Sequence, residues 1–288
     1  MNILITGCSS GIGFATARDL ARAGHKVFAT MRNPTKVPEL GQIAAREKLP
    51  LEVRTLDVDS TESVRSCVAG ISAPIDVLVN NAGIEVHGSV EELAIESVMA
   101  VMNTNYFGTV RCIQAVLPQM RERRNGCIIN IASVAGHISS SPLGAYSASK
   151  YAVEAISEAL AGEVKPFNIR VAIVEPGIQD TRMARDIMNP DNSVYMQPAR
   201  FSGLFRAALA NPVPPEVTAG VIRNIIESGT WQLRHLSGPD AAPFVAWRKS
   251  MTDELWVEWN ALDDKAWYEA VHRDFGLDAR PQSQSAGK

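Results

Sequence analysis

Apolar residues come along this chain in short dense runs. Between the runs lie longer stretches where apolar positions recur every three or four residues. The runs at 3–5, 26–29, 51–56, 75–79, 127–131 and 170–174 are rich in Ile, Val and Leu and lack polar alternation. That pattern fits strands buried on both faces. The stretches at 13–23, 61–72, 97–121 and 147–165 carry helical periodicity. Strand–helix–strand alternation implies parallel strands, because only a long crossover can return the chain to the same edge. The predicted fold class is therefore α/β, a doubly wound parallel sheet with helices on both faces. The regularity thins after Gly177. Residues 178–215 carry Pro190, Pro198, Pro212, Pro214 and Pro215 among Met and aromatic residues, which predicts a mobile or irregular insertion rather than a linker between two cores.

Composition narrows the class. Of 288 residues, 46% are hydrophobic and 20% charged, which argues against disorder. Lys and Arg number 28 against 31 Asp and Glu, a net charge of −3, so no global field attracts nucleic acid or an anionic membrane. No apolar run reaches the ~18 residues of a membrane span. The chain passes from Met1 through Ile5 straight into a Gly-rich turn, with no room for a leader, and the expected location is cytoplasmic. The 4 cysteines, Cys8, Cys67, Cys112 and Cys127, lack metal-ligand spacing, so no metal is expected, and they fit a reducing compartment. The 5 Trp (Trp231, Trp247, Trp256, Trp259 and Trp267) all lie near the C-terminal end. Residues 231–278 are too short and polar to enclose a second core. They read as a helical extension whose Trp side chains anchor it on the sheet edge, the lid or a partner subunit. One domain over 1–278, with 279–288 as a flexible tail, is the expected organisation.

The first turn carries candidate chemistry. Thr6-Gly7-Cys8-Ser9-Ser10-Gly11-Ile12-Gly13 joins the first strand to the first helix. Missing side chains let the backbone approach a pyrophosphate, and the helix start offers free N–H groups. A Gly cluster can also mark an ordinary tight turn. At the end of the second strand, Ala29-Thr30-Met31-Arg32 holds no acid for a ribose hydroxyl and an Arg that suits a 2′-phosphate. Ser10 could add a second bond. NADP(H) is favoured and NAD(H) stays possible; Arg32 could also be a solvated surface residue.

Tyr146-Ser147-Ala148-Ser149-Lys150 sets a phenol and an ammonium one helical turn apart on one face. A free phenol titrates near about 10, so a base working near neutrality needs roughly 4 kcal/mol of phenolate stabilisation. A partly desolvated Lys together with an oxidised nicotinamide could supply it. Ser133 follows the strand at 127–131, at the carboxyl end where such sheets place ligands. It could bond a substrate carbonyl oxygen or simply cap its loop. Asn80-Asn81-Ala82-Gly83 ends the strand at 75–79 beside the same crevice. Asn105 sits inside an apolar helical stretch, where its amide needs partners: a local helix distortion or a held water.

With these residues in this order, over roughly the first 180 positions, the sequence resembles the short-chain dehydrogenase/reductase family with its Rossmann-type fold. The likeness runs from the Gly turn at 6–13 through Asn80–Gly83, Asn105, Ser133, Tyr146 and Lys150 to Pro176, Gly177 and Thr181. Within the family it looks most like the hydroxysteroid and retinol dehydrogenases. The resemblance implies Tyr146 as acid/base and Lys150 as the group that lowers its pKa and holds the nicotinamide ribose. It implies Ser133 as the group orienting the carbonyl and Asn105 as holder of a relay water. It also implies cofactor contacts from Gly7, Ser9, Ser10, Gly11, Ile12, Gly13, Arg32, Asp57, Val58, Asn80, Ala82, Gly83, Pro176, Gly177 and Thr181. Gln179 stands where the family usually has an apolar residue. A homodimer or homotetramer is also implied.

Substrate contacts are expected from Ser133, Tyr146, His137, Leu143, Ile178 and Met183. The insertion holds Met183, Ile187, Met188, Tyr195, Met196, Phe201 and Phe205, which suit a lid over a hydrophobic ketone, aldehyde or alcohol. The leading function is NADP(H)-dependent carbonyl oxidoreduction. The alternatives are an NAD-dependent alcohol dehydrogenase of the same family and a non-catalytic NADP(H) sensor.

Overall fold

The computed structural model describes residues 1–187 and 193–281. Its centre is a seven-stranded sheet in which every pairing is parallel. Strand β1 (Asn2–Ile5) has β2 (Lys26–Met31) and then β3 (Leu51–Thr55) on one side. On the other side follow β4 (Val77–Asn80), β5 (Gly126–Ile131), β6 (Ile169–Pro176) and β7 (Arg234–Ser237). The order reverses between β1 and β4, and a crevice opens there at the carboxyl ends of the strands.

Alternate residues of each strand feed opposite faces. Ile3 and Ile5 pack with Leu20 of α1 (Gly11–Arg22) and with Ile222 and Ile225 of α9 (Glu216–Ser228). Leu4 points the other way, into a core with Val64 of α3 (Thr61–Ala69), Val116 of α5 (Gly108–Arg123) and Leu160 of α6 (Gly144–Val164). All residues of β5 are buried, as its unbroken apolar run predicts. The thiols are buried too. Desolvation pushes Cys8 and Cys112 up to about 12 and Cys127 to about 11, which leaves them inert.

The stretch at 97–121 is not one helix. It divides into α4 (Ile95–Met102), a π-helical turn (Asn103–Phe107) and α5. Helix α2 (Glu39–Glu47) was not expected from the pattern, because it buries only Leu40 and Ala44. Strand β7 was not expected either: it is an edge strand, Arg-His-Leu-Ser, with only its last residue buried.

The insertion at 178–215 is only partly irregular where it is described. It holds α7 (Arg182–Arg185) and α8 (Gln197–Ala208), while Met188 and Pro190 lie outside the described residues. Pro198 occupies the first turn of α8, where its missing N–H breaks no bond, and Pro215 caps the start of α9. Those prolines start helices instead of breaking them.

The C-terminal extension forms α10 (Ala241–Lys249), α11 (Asp253–Ala261) and α12 (Asp264–Phe275). Trp247 meets Trp256 and Trp259 edge-on at 5.5 and 5.0 Å between centroids, and Trp259 packs against Trp267 at 5.8 Å. Trp231 takes no part in this cluster. It lies under the Lys165 ammonium and is 48% exposed. The anchor of the extension is Arg200 of α8. It is buried to 1%, with Nε donating to Asp264 at 2.6 Å and a terminal nitrogen donating to the Leu262 carbonyl at 2.7 Å. Ala279 is also buried, and Arg206 donates to its carbonyl, so the chain is still packed where the tail was expected to begin. Among the described residues no helix is long and apolar enough to cross a membrane.

A Cβ on Gly203 of α8 would overlap the Ala279 carbonyl oxygen. Gly203→Ala should therefore loosen the extension from α8. The expected outcome is a lower Tm, by about 1–3 kcal/mol of stability, and faster proteolysis within 240–281. An unchanged melt and digestion pattern would contradict this packing.

Candidate active site

The crevice is built on a backbone contact. Gly7 has φ 73°, and a Cβ on it would lie 2.7 Å from the Ala82 Cα. The turn after β1 can approach the turn after β4 only without a side chain. The Thr6 hydroxyl accepts from the backbone N–H groups of Asn81 and Ala82, both at 3.0 Å. The Asn81 amide donates to the Thr6 and Gly7 carbonyls at 2.9 and 3.0 Å. Ser10 begins α1 but makes no side-chain cap bond, and the first turn holds no acid. The N–H groups and positive dipole end of α1 thus stay available to an anion.

One cleft runs from this turn to the C-terminal helices. Gly7, Ser9, Ser10, Gly11, Ile12, Arg32, Asp57, Val58, Ala82, Gly83, Pro176, Gly177 and Thr181 line it, and so do Ser133, Tyr146 and Lys150. Two expected cofactor residues do not. Gly13 sits behind the turn, where a Cβ would strike the Gly7 carbonyl. Asn80 points into the sheet and donates to Asn130 at 2.8 Å, which donates in turn to Ser157. Its neighbour Asn81 lines the cleft instead. Arg32 is exposed and makes no hydrogen bond or ion pair among the described residues.

Tyr146 and Lys150 share one face of α6, with the Lys150 Nζ 5.6 Å from the phenol ring centre. Lys150 is only 6% exposed, and Nζ donates to the Ile131 carbonyl at the end of β5 at 2.9 Å. Burial brings its ammonium down to about 8, opposed by the Glu154 charge one turn on. Burial moves the Tyr146 phenol up, opposed by a hydrogen bond with Ser133 and reinforced by Glu85. The chain by itself therefore holds the phenol protonated at neutral pH. Ser133 both caps and faces the site: its Oγ accepts from the Ala135 N–H at 3.1 Å.

Asn105 lies behind the cleft wall, in the π-helical turn. Its amide nitrogen donates to the Ile84 carbonyl and to Ser149 Oγ, both at 2.9 Å, and its oxygen accepts from the Ile84 N–H at 2.8 Å. It ties the loop after β4 to α6. The local helix distortion expected from a buried Asn is present.

His137 is not in the cleft. Its Nε2 lies 2.8 Å from a Glu175 carboxylate, on the side where Arg234 pairs with Glu154 at 3.0 Å. Leu143, Ile178 and Met183 do line the cleft, as expected. Sequence reading missed Asp240, whose carboxylate accepts from the Ile178 N–H at 2.7 Å and leaves no room for a Cβ on Gly177. No local signal marks that residue. Gln179 accepts from the Thr218 hydroxyl at 3.1 Å, while its buried Nε2 has no partner among the described residues.

A family model described as short chain dehydrogenase matches residues 1–192, and the chain belongs to that family. It is 46% identical over 178 residues to 3-ketodihydrosphingosine reductase of Bacteroides thetaiotaomicron, covering 61% of this chain and 62% of that one. It is 45% identical over 180 residues to human retinol dehydrogenase 8, covering 61% and 58%. The chain thus spans less than two thirds of these relatives' length. A short-chain dehydrogenase structure from Streptomyces avermitilis superposes with TM-score 0.75 at 33% identity, covering 95% of this chain and 97% of that one. A variant of actinorhodin polyketide ketoreductase, solved with NADPH, gives TM-score 0.72 at 32% identity, covering 82% and 96%.

The His137–Glu175 pair sets a pH dependence. Glu175 holds the imidazole above its ordinary value, with Glu154 reinforcing and Lys249 opposing. A raised folded pKa contributes stability in full below the unfolded value of about 6.5, and loses it as pH rises through the folded value. His137→Gln should therefore lower the Tm more near about pH 5.5 than near about pH 9. An equal loss at both would contradict the ion pair.

Proposed function

We propose that this protein is an NADP(H)-dependent oxidoreductase that interconverts a carbonyl and an alcohol on a hydrophobic substrate. The observation that carries this reading is the single cleft in which Tyr146, Lys150 and Ser133 face an uncapped helix start. The cofactor fits the residues present. The uncapped start of α1, with Ser9, Ser10, Gly11 and Ile12 lining the cleft, suits a pyrophosphate. Arg32, unpaired at the end of β2 with no acid beside it, supports a 2′-phosphate. The NADPH carried by the related ketoreductase agrees with that choice.

When bound, the nicotinamide supplies or takes the hydride. In the reductive direction Ser133 donates a hydrogen bond to the substrate oxygen and holds it against Tyr146. The phenol, kept protonated by burial, gives its proton to that oxygen as charge develops. Lys150 stabilises the phenolate that remains, from a position fixed by the Ile131 carbonyl. Met183, Ile187, Phe201 and Phe205 line the cleft opposite and exclude water. A hydrophobic substrate also agrees with relatives named for 3-ketodihydrosphingosine and retinol. Ile95 and Met99 of α4, with Phe107 and Tyr151, are exposed apolar residues that support a homodimer or homotetramer.

Tyr146→Phe should lower kcat by about 10²–10⁴-fold while the NADPH Kd changes little. Unchanged turnover would remove the acid/base role. Arg32→Ala should cut kcat/KM for NADPH by about 10- to 100-fold and leave the value for NADH nearly as it was. Equal or better use of NADH by the unaltered protein would remove the case for NADP(H).

A further inference from the structure

The turn that leaves β6 lines the cleft with Pro176, Gly177, Ile178, Gln179 and Thr181. Past the end of the strand its N–H groups leave the regular ladder, so they need other acceptors. Gly177 donates to the Ser237 carbonyl at 2.9 Å, and Asp180 to the Val213 carbonyl at 2.7 Å. Ile178, between them, donates to a side chain instead, the Asp240 carboxylate, at 2.7 Å. A Cβ on Gly177 would overlap the same carboxylate, so turn and side chain are in close contact.

Asp240 is the N-cap of α10. An Asp at that position ordinarily accepts from N–H groups in the first turn of its own helix. This one makes no such cap bond. Its carboxylate is spent on Ile178, and its Oδ1 is buried with no hydrogen-bond partner among the described residues. A forgone cap and an unsatisfied oxygen are not what helix stability selects. The place of the turn says what is held. Ser133 Oγ lies 3.5 Å from the Pro176 carbonyl. Hydride transfer to a carbon whose oxygen is held by Ser133 and Tyr146 needs the nicotinamide ring in contact with that carbon. The turn therefore borders the nicotinamide end of the cleft, and Arg32 serves the opposite, adenosine end.

We propose that Asp240 is a positioning residue for the cofactor: through the Ile178 N–H it holds the turn at 176–181 in the shape that receives the nicotinamide half. The C-terminal extension thereby takes part in cofactor binding from its first helix, whose Phe244 and Trp247 also line the cleft. This deepens the proposed function and rests on it. Ser133 keeps its own anchor, the Ala135 N–H, so the effect of Asp240 falls on cofactor affinity before it falls on the reacting groups.

The test uses the full chain and two ligands: NADPH, and adenosine 2′,5′-bisphosphate, which lacks the nicotinamide half. Asp240→Ser still caps a helix but is too short for the Ile178 N–H, whereas Asp240→Asn keeps an oxygen at the same reach. Binding is measured by calorimetry, and exchange of the Ile178 amide without ligand. The Ser variant should raise the NADPH Kd by about five- to twentyfold and leave that of the bisphosphate within about twofold. Its Ile178 amide should exchange faster, and the Asn variant should bind NADPH within about threefold of the unaltered protein. An unchanged NADPH Kd in the Ser variant, an equal loss for both ligands, or an Asn variant as weak as the Ser variant would each overturn the role. If Asp240→Ser does not fold, Asp240→Glu, which keeps the charge and displaces the acceptor, takes its place with the same expectations. NADPH binding that depends on Asp240, with no turnover of any ketone, would sink the oxidoreductase and spare this role. Ketone reduction with NADPH binding indifferent to Asp240 would do the reverse, and no NADPH binding by the unaltered protein would overturn both.

Discussion

One ammonium, that of Lys150, is taken almost wholly out of water, and much of the site is arranged around that constraint. A buried cation needs a fixed acceptor. Here it is the Ile131 carbonyl, the last of β5, so α6 must run past the carboxyl end of that strand. Once α6 is held there, Tyr146 falls one turn earlier in the same space. Ser133, on the connection from β5, has little choice but to face it. The helix is unusually polar where it is buried, with Ser147, Ser149, Lys150, Glu154 and Ser157 all inside. Ser149 accepts from Asn105 and Ser157 accepts from Asn130, so the polar stripe is tied to the π-helical turn and to the sheet. The π-helical turn is the distortion that brings the Asn105 amide into reach of both Ile84 and α6.

The same dryness moves Lys150 and Tyr146 in opposite senses. It lowers Lys150 and raises Tyr146, so both drift toward their neutral forms. A phenol that is reliably protonated is ready to act as an acid. Acting as a base requires further positive charge in the cleft, beyond what the chain supplies. Desolvation, the largest influence on either group, therefore favours the neutral form of both and makes the phenol a weaker acid, so proton transfer in either direction depends on charge brought into the cleft.

The fold, and the meeting of Tyr146, Lys150 and Ser133 in one cleft, are legible because their signals are local. Buried parallel strands show as apolar runs, and Tyr146 with Lys150 follows from helical spacing. Errors arose where a single register or a distant partner decides. Asn80 closes β4 with its side chain in the sheet, while Asn81, one residue on, turns into the crevice. Nothing in an Asn-Asn pair says which is which. His137 looked like a substrate contact, but Glu175, remote in sequence, claims it from the other side. Proline density hid α8 because a proline in the first turn of a helix reads, in sequence, like a proline that breaks one. Asp240 and Arg200 act only through tertiary partners, and no spacing rule could have found them.

Arg200 joins what sequence treats as two separate features. Its guanidinium leaves α8 and ends on Asp264 and the Leu262 carbonyl of the extension. A fully buried Arg of this kind ranks geometry above net stabilisation, since desolvation offsets much of its Coulombic gain. Helix α8 and the extension are thereby held in one arrangement. Phe201 and Leu204 of α8 and Trp259 and Trp267 of the extension then line the same cleft. The Trp-rich end of the chain thus packs on α8 and shares its cavity, one of the anchorages that its composition suggests. Its Trp side chains and Tyr146 of α6 line one cleft, so the packing of the extension sets the shape of that cavity's far side.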